Sequence, residues 1–353
     1  MTDERLRMNA ASKRLGVAVI GAGGSNIATS CHLPAMREVP EVEVRVVCDV
    51  NEEAVRETAE QYGVDWTTSY EEVLARKDVD MVQICTPDPL HCEQTLLAAR
   101  AGKHVLCQKP IACSLDELRR MQQVVKESGI WFQAAQNARW AARNMRLKAL
   151  IDQGAIGAVA QVTICTKGRF YSYPASSVYR RPDGPHQFLH NGVHWVDLAS
   201  WLANSLPVEV YAQPTRHYPT DDNLPCDNYM VANIRFASGA FGLVEQNQMM
   251  IEPEGFPPRE RVFVAGTKGN LLAGDREGFT VENFRGGRVT MEAPSNADAV
   301  ASFARLIGDF ARRILEGKPP DIPIEHSMAT VATCLLAIES AKSSSPMKVE
   351  VNA

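Results

Sequence analysis

The first clear pattern in the chain is LGVAVIGAG (15–23), a short apolar run that ends in glycines. Such a run predicts a buried strand followed by a tight turn, with a helix to about Met36 after it. VEVRVVCDV (42–50) is a second β-branched run, and NEEAVRETAEQYG (51–63) is a polar helix closing on glycine. VDMVQICTP (79–87) and HVLCQKP (104–110) are further strand-like runs, with a helix over CEQTLLAARAGK (92–103) between them. SLDELRRMQQVVKESG (114–129) starts at Ser114 and carries Glu117 three residues on, the spacing of a capping box. IWFQAAQ (130–136) closes the series. Strands alternating with helices of this length predict an α/β unit, a doubly wound parallel sheet.

The pattern changes after residue 136. NMRLKALIDQG predicts a helix with a glycine stop, and AVAQVTICTKGRF (158–170) a strand. A helix over 190–203 would put His190, His194, Leu198 and Trp201 on one stripe. From Val208 the chain reads as strands separated by turns, with ASG (237–239) a hairpin turn. Helices are expected over 298–318 and 326–344. The expected organisation is a loose tail (1–13), a dinucleotide-binding domain (14–136) and an α+β domain (137–353) with a mostly antiparallel open sheet.

Composition narrows the function classes. A chain of 353 residues is long enough for two domains. Net charge is −5 and no basic block occurs, which argues against nucleic acid or an anionic membrane as partner. No apolar run is long enough to cross a bilayer, and the polar start MTDERLRMNAASKR is not expected to act as a signal peptide. The nine cysteines are odd in number and form no CxxC pair, and several sit in apolar runs. That usage fits a reduced, cytoplasmic protein without a disulfide frame or zinc ribbon.

The turn GAGGSN adds chemistry. Gly21, Gly23 and Gly24, with Ser25 and Asn26 behind them, follow a strand and precede a helix. Glycines there let the backbone approach a pyrophosphate, and the helix start supplies N–H groups. Asn26 stands where a dinucleotide turn usually has Gly or Ala, and Ala28 is placed to take over the close-packing role. Asp49 ends the second strand 23 residues past Asn26, where an acidic residue accepts bonds from a ribose 2′-hydroxyl. A carboxylate there repels a 2′-phosphate and favours NAD(H) over NADP(H). The plainer alternative is an Asp that caps the next helix.

GAGG, CTPDPLHCEQTLLAARAGKHVLCQKPIA (85–112) and GVHWVDLASWL (192–202) resemble the glucose–fructose oxidoreductase / inositol dehydrogenase (Gfo/Idh/MocA) family, from about Gly16 to the C-terminus. The resemblance implies a Rossmann domain followed by an α+β domain, with NAD as cofactor. It implies that Lys109, matching the lysine of a Glu-Lys-Pro motif, lies by the nicotinamide and the reacting carbon. There it would hold a substrate oxygen as charge builds or decays. Thr86, Pro87, His91 and Gln108 fall in the same motifs and are expected at the cofactor. His194 matches the family's proton-handling histidine, as oxidation of an alcohol requires. Two positions depart from the family pattern. Gln108 replaces its Glu, which removes a charge partner and is expected to lower the pKa of Lys109. His190 replaces its Asp four residues before His194, and is expected to orient His194 or touch substrate.

Candidate substrate contacts are Lys109, Asn137, Arg139, Tyr171, Tyr173, Asn191 and His194, with Tyr179 and Arg180 in the same aromatic, aperiodic stretch (168–188). His186, His190 and His194 recur every four residues. Pro185 and Gly192 make one continuous helix through them doubtful, and no metal is expected. The resemblance also implies a homodimer or homotetramer built through the open sheet. The function expected is an NAD(H)-dependent oxidoreductase of a sugar, polyol or glycoside hydroxyl. A redox-neutral enzyme with tightly bound NAD (glycoside cleavage by oxidation–elimination, or epimerisation) is the alternative. A non-catalytic cofactor-sensing protein is a third.

Overall fold

The computed structural model describes residues 14–167, 186–215, 229–247, 260–274, 279–283, 288–291 and 299–350. The chain divides into two compact units. The first holds the residues up to Ile111, then Asp116–Asn137 and Ala299–Ile324. The second holds Ala112–Leu115, Ala138–Asp298 and the residues from Glu325 on.

The first unit is built on six parallel strands: β1 (Leu15–Ile20), β2 (Val42–Cys48), β3 (Asp65–Thr67), β4 (Met81–Ile84), β5 (His104–Cys107) and β6 (Phe132–Ala134). Their order across the sheet is β3-β2-β1-β4-β5-β6. All residues of β1 and β4 are buried, as expected of central strands covered on both faces. Around the sheet lie α1 (Leu33–Met36, preceded by a π turn over Ala28–His32), α2 (Glu52–Tyr62), α3 (Tyr70–Ala75), α4 (His91–Arg100) and α5 (Leu115–Ser128). Two of the starts have a clear local cause. Asn51 accepts from Ala54 N to open α2, and Glu52 and Glu53 favour the first turn. Gly63, left-handed at φ 67°, ends it. β3 and α3 fall where the hydrophobic pattern predicted no element. DWT is too short and polar to register as a strand, but Ser69 accepts from Glu72 N at 3.2 Å, a cap readable from the Ser-x-x-Glu spacing.

The strand order reverses between β1 and β4. In an open parallel sheet, ligands bind in the crevice beyond the strand ends at such a reversal. The segments leaving β1, β2, β4 and β5 at that end carry the glycine turn, Asp49, Thr86–His91 and Gln108–Pro110 respectively. The late helix α9 (Ala299–Leu315), expected in the second domain, joins this first unit and packs against α1 and the π turn.

The second unit contains α6 (Ala142–Asp152), α7 (Gln187–His190), α8 (Gly192–Ala203), most of α10 (Ile324–Ser343) and a mixed sheet. Its strands are β7 (Val159–Lys167), β8 (Pro207–Thr215), β9 (Tyr229–Phe236), β10 (Phe241–Asn247), β11 (Glu260–Gly266), β12 (Gly269–Gly274), β13 (Phe279–Asn283), β14 (Arg288–Met291) and β15 (Met347–Lys348). They lie in the order β14-β13-β12-β11-β7-β10-β9-β8-β15. Every described pairing is antiparallel except β7 with β10. The two faces differ sharply. Val262, Ile164, Val244, Ala232 and Ala212 form a buried row across neighbouring strands, and α8 packs on β7 and β10. The opposite row, Leu272, Phe263, Thr163, Leu243, Asn233 and Tyr211, is only half-buried.

Candidate active site

In the first unit the glycines have distinct steric reasons. Gly21 sits at φ +82°, and a Cβ there would meet Thr86 N at 2.8 Å. Its own N–H donates to Cys48 O at 2.8 Å, so it packs between the ends of β2 and β4. A Cβ on Gly23 would meet the Asp49 carboxylate at 2.6 Å. Asn26, the departure from the usual turn, organises it. Its Nδ2 donates to Gly21 O (2.9 Å) and Gly23 O (3.0 Å), and its Oδ1 accepts from Ala28 N (2.9 Å). Ala28 is fully buried, the close-packing position expected of it. Ser25 and Gly24 stay exposed at the tip. These residues fit a dinucleotide: a turn without side chains, an exposed backbone edge and a carboxylate at the end of β2.

Asp49 Oδ2 accepts from Gly23 N at 2.8 Å and Oδ1 from Asn51 N at 2.9 Å. The helix cap itself is Asn51, two residues further on. Asp49 therefore braces the glycine turn, and it remains half-exposed.

Beyond β4, Thr86 Oγ1 donates to Gln94 Oε1 at 2.5 Å, and Pro87 is exposed. His91, expected at the cofactor, is 1% exposed, and both its ring nitrogens face backbone carbonyls. That corrects its role from cofactor contact to structural tie, because no ring nitrogen remains for a ligand.

Beyond β5, Gln108 is buried and locked from both ends. Its Oε1 accepts from Lys109 N at 3.0 Å, and its Nε2 donates to His32 Nε2 at 2.7 Å. His32 is itself fully buried and stacks on Phe303 of α9, with ring centroids 4.2 Å apart. Burial pushes its imidazole down to about 3, so it is neutral and accepts at Nε2. Lys109 stands half-buried at the carboxyl end of β5. Burial lowers it to about 8, with Asp88 pushing the other way. This shift is from lysine's ordinary value and its largest cause is burial, not the missing charge at Gln108. Asp88 is 2% exposed. His32, Asp88 and Gln94 escaped the sequence reading, since nothing in their local pattern marks a buried polar residue. Asn137 belongs to this unit, and its Nδ2 donates to Ser302 Oγ at 3.1 Å.

In the second unit, His194 lies in the first turn of α8 and His190 ends α7, both half-buried. The helical path breaks at Asn191, and His186 is the cap of α7, accepting from Phe188 N at 3.1 Å. The three histidines therefore do not share one continuous helix. Among the described residues no group of three or more His, Cys, Asp or Glu side chains could hold a metal. Asn191 Nδ2 donates to Gln187 Oε1 at 3.2 Å, and Gln246 Nε2 to Gln187 O at 3.1 Å. Arg139, expected at substrate, is 3% exposed and gives both arms of its fork to Asp197 at 2.7 and 2.6 Å. Its donors are spent on a fully buried carboxylate, so it is a structural ion pair instead of a substrate ligand. Tyr171, Tyr173, Tyr179 and Arg180 lie outside the described residues.

Comparison with known proteins identifies the architecture. Residues 15–136 match the oxidoreductase family with an NAD-binding Rossmann fold, and residues 144–272 match the GFO/IDH/MocA C-terminal domain. The chain belongs to the Gfo/Idh/MocA family of NAD-binding oxidoreductases. It is 34% identical over 289 residues to levoglucosan dehydrogenase of Pseudarthrobacter phenanthrenivorans, covering 74% of this chain and 73% of that protein. It is 25% identical over 349 residues to myo-inositol 2-dehydrogenase of Thermotoga maritima, covering 96% and 98%. Its fold is similar to an Agrobacterium radiobacter oxidoreductase solved with NAD+, L-tartaric acid and magnesium, at TM-score 0.86 and 19% identity, covering 96% of this chain and 99% of that one. As a member of this family the protein uses NAD. Among the described residues no helix is long and apolar enough to cross a membrane.

Proposed function

We propose that this protein is an NAD(H)-dependent dehydrogenase or reductase that acts on a secondary hydroxyl or ketone of a sugar, polyol or glycoside. The observation that carries the reading is Lys109: a half-buried ammonium, lowered to about 8, at the carboxyl end of β5 in the unit that bears the dinucleotide turn. Family relatives named for levoglucosan and myo-inositol support the substrate class.

Bound NAD supplies hydride acceptance and return at its nicotinamide ring. The chain's own residues supply the rest. Gly21 and Gly23 let the turn pack against the end of β4 and against Asp49, Gly24 leaves its tip open for the pyrophosphate, and Asp49 offers its carboxylate to the ribose. Lys109 donates to the substrate oxygen. A lysine near 8 is charged at neutral pH yet close enough to titration to respond as the oxygen gains or loses charge. His194 takes the hydroxyl proton on oxidation and returns it on reduction. His190 orients His194 or touches substrate, and Asn191 lines the same turn.

The reading also makes the protein a cytoplasmic homodimer or homotetramer. The half-buried row from Leu272 to Tyr211 supports the assembly, and the cysteine usage supports the compartment. The test is growth of the NADH absorbance band when protein and NAD+ meet a panel of sugars, inositols and glycosides. Growth with one class establishes net dehydrogenation. Substrate consumed without NADH would reject it and point to a redox-neutral reaction with retained NAD. No binding of NAD+ and no turnover would point to a non-catalytic role.

A further inference from the structure

His91 opens α4 and is 1% exposed. Its Nδ1 lies 2.7 Å from Pro110 O, and its Nε2 lies 2.7 Å from Thr86 O. Carbonyl oxygens only accept, so the ring N–H donates to one of the two, the tautomer setting which, while the other ring nitrogen lies against the second. The two carbonyls belong to different loops. Thr86 follows β4, and Pro110 follows β5 directly after Lys109. We propose that His91 is a positioning residue for Lys109, its ring tying the loop that carries the lysine to the Thr86–Pro87 turn. The inference rests on the assignment of Lys109 to the reaction.

The tie acts on main-chain atoms and so fixes the backbone from which Lys109 projects. Gln108 secures the other side, with its Oε1 on Lys109 N and its Nε2 on His32. Parallel pairing of β4 with β5 ends at Ile84 opposite Cys107, so beyond that point the sheet no longer aligns the two loops. His91 carries the alignment past the last ladder bonds. It also keeps Lys109 near Asp88, the buried carboxylate of the β4 loop that acts on its charge. Burial is the larger influence on Lys109. A loosened loop admits water and returns the lysine toward its ordinary value.

Pulse acylation of amines, read by mass spectrometry on the Lys109 peptide of the full-length protein, measures the lysine's titration midpoint without any substrate. The wild-type midpoint is expected near 8. His91→Ala is expected to move it up toward about 10.4. His91→Gln keeps an N–H for one of the two carbonyls and is expected to fall between, which preserves the test if the alanine variant does not fold. On a substrate, kcat is expected to drop about 10- to 100-fold while NAD+ Kd changes less than about 3-fold, as for a misplaced reacting group. A midpoint unmoved in His91→Gln, with NAD+ affinity lost in step with kcat, overturns the proposal and returns His91 to the cofactor site. A shifted midpoint in a protein that turns over no sugar or polyol supports the tie and rejects the proposed reaction.

Discussion

Replacing Lys109 by methionine separates what the lysine costs from what it does. Burial lowers the folded-state pKa from 10.5 to about 8, against the opposing pull of Asp88. Below pH 8 the lysine is protonated in both states, and the folded state bears the full cost of holding a desolvated ammonium. Between about 8 and 10.5 the unfolded chain binds the proton and the folded one does not, so stability rises with pH across that window. At about 1.36 kcal/mol per pH unit the cost below pH 8 is at most roughly 3.4 kcal/mol. Lys109 keeps part of its surface in water, so the working value is roughly 1–3 kcal/mol. Methionine has a similar shape and no charge. Lys109→Met is therefore expected to be more stable than wild type at pH 7 by about 1–3 kcal/mol, with the gain fading toward pH 10.5. Turnover is expected to fall by at least about 10²-fold. Urea unfolding followed by tryptophan fluorescence at several pH values measures the first effect, and NADH production the second. A variant less stable than wild type at pH 7, or one whose difference does not change with pH, refutes the claim that the site holds its ammonium at a cost.

NAD+ is expected to bind more tightly than NADP+, and Asp49→Ser to narrow the gap while weakening NAD+, since Asp49 also braces Gly23. Equal dissociation constants in the wild type, by titration calorimetry, would remove the role given to Asp49. His194→Ala is expected to lower turnover at neutral pH by about 10²-fold, and unchanged steady-state rates would take His194 out of the mechanism. Asp197→Asn leaves the Arg139 guanidinium buried against an uncharged amide and is expected to cost about 3–5 kcal/mol. That corresponds to a fall in Tm of roughly 6–20 °C for a unit of this size. A loss under about 1 kcal/mol in chemical unfolding would show the pair to be dispensable.

Much of the first unit was legible because its signals are local. β1 is a continuous apolar run and β4 is one broken only by Gln83, the glycine turn is contiguous, and Asp49 lies a fixed distance on. What the pattern hid depends on chain segments distant in sequence. α9 looks like any amphipathic helix near the C-terminus, and nothing in its sequence says that it packs beside the π turn some 270 residues earlier. Arg139 looked like a substrate ligand because its partner, Asp197, lies 58 residues away. His91 looked like a cofactor contact because a motif assigns position without saying which atoms the ring faces. For Arg139 and His91 the polar partner decides the role, and polar partners follow no period in the sequence.

Gln108 shows the same dependence at the centre of the site. Read alone, it is a lost charge beside the lysine. In the fold it is one half of a matched pair with His32. His32 Nε2 is an acceptor because its imidazole is buried and neutral, and the amide of Gln108 is the group that can donate to it while also accepting from Lys109 N. A carboxylate at 108 could accept from Lys109 N but has nothing to donate to His32. Its second oxygen would instead demand a hydrogen on Nε2, and a buried charge would enter the core between α9 and the sheet. The glutamine therefore goes with the neutral histidine, and the electrostatic partner of Lys109 is displaced to Asp88 on the neighbouring loop. The departure from the family's Glu-Lys-Pro motif and the buried histidine 76 residues before it are one arrangement.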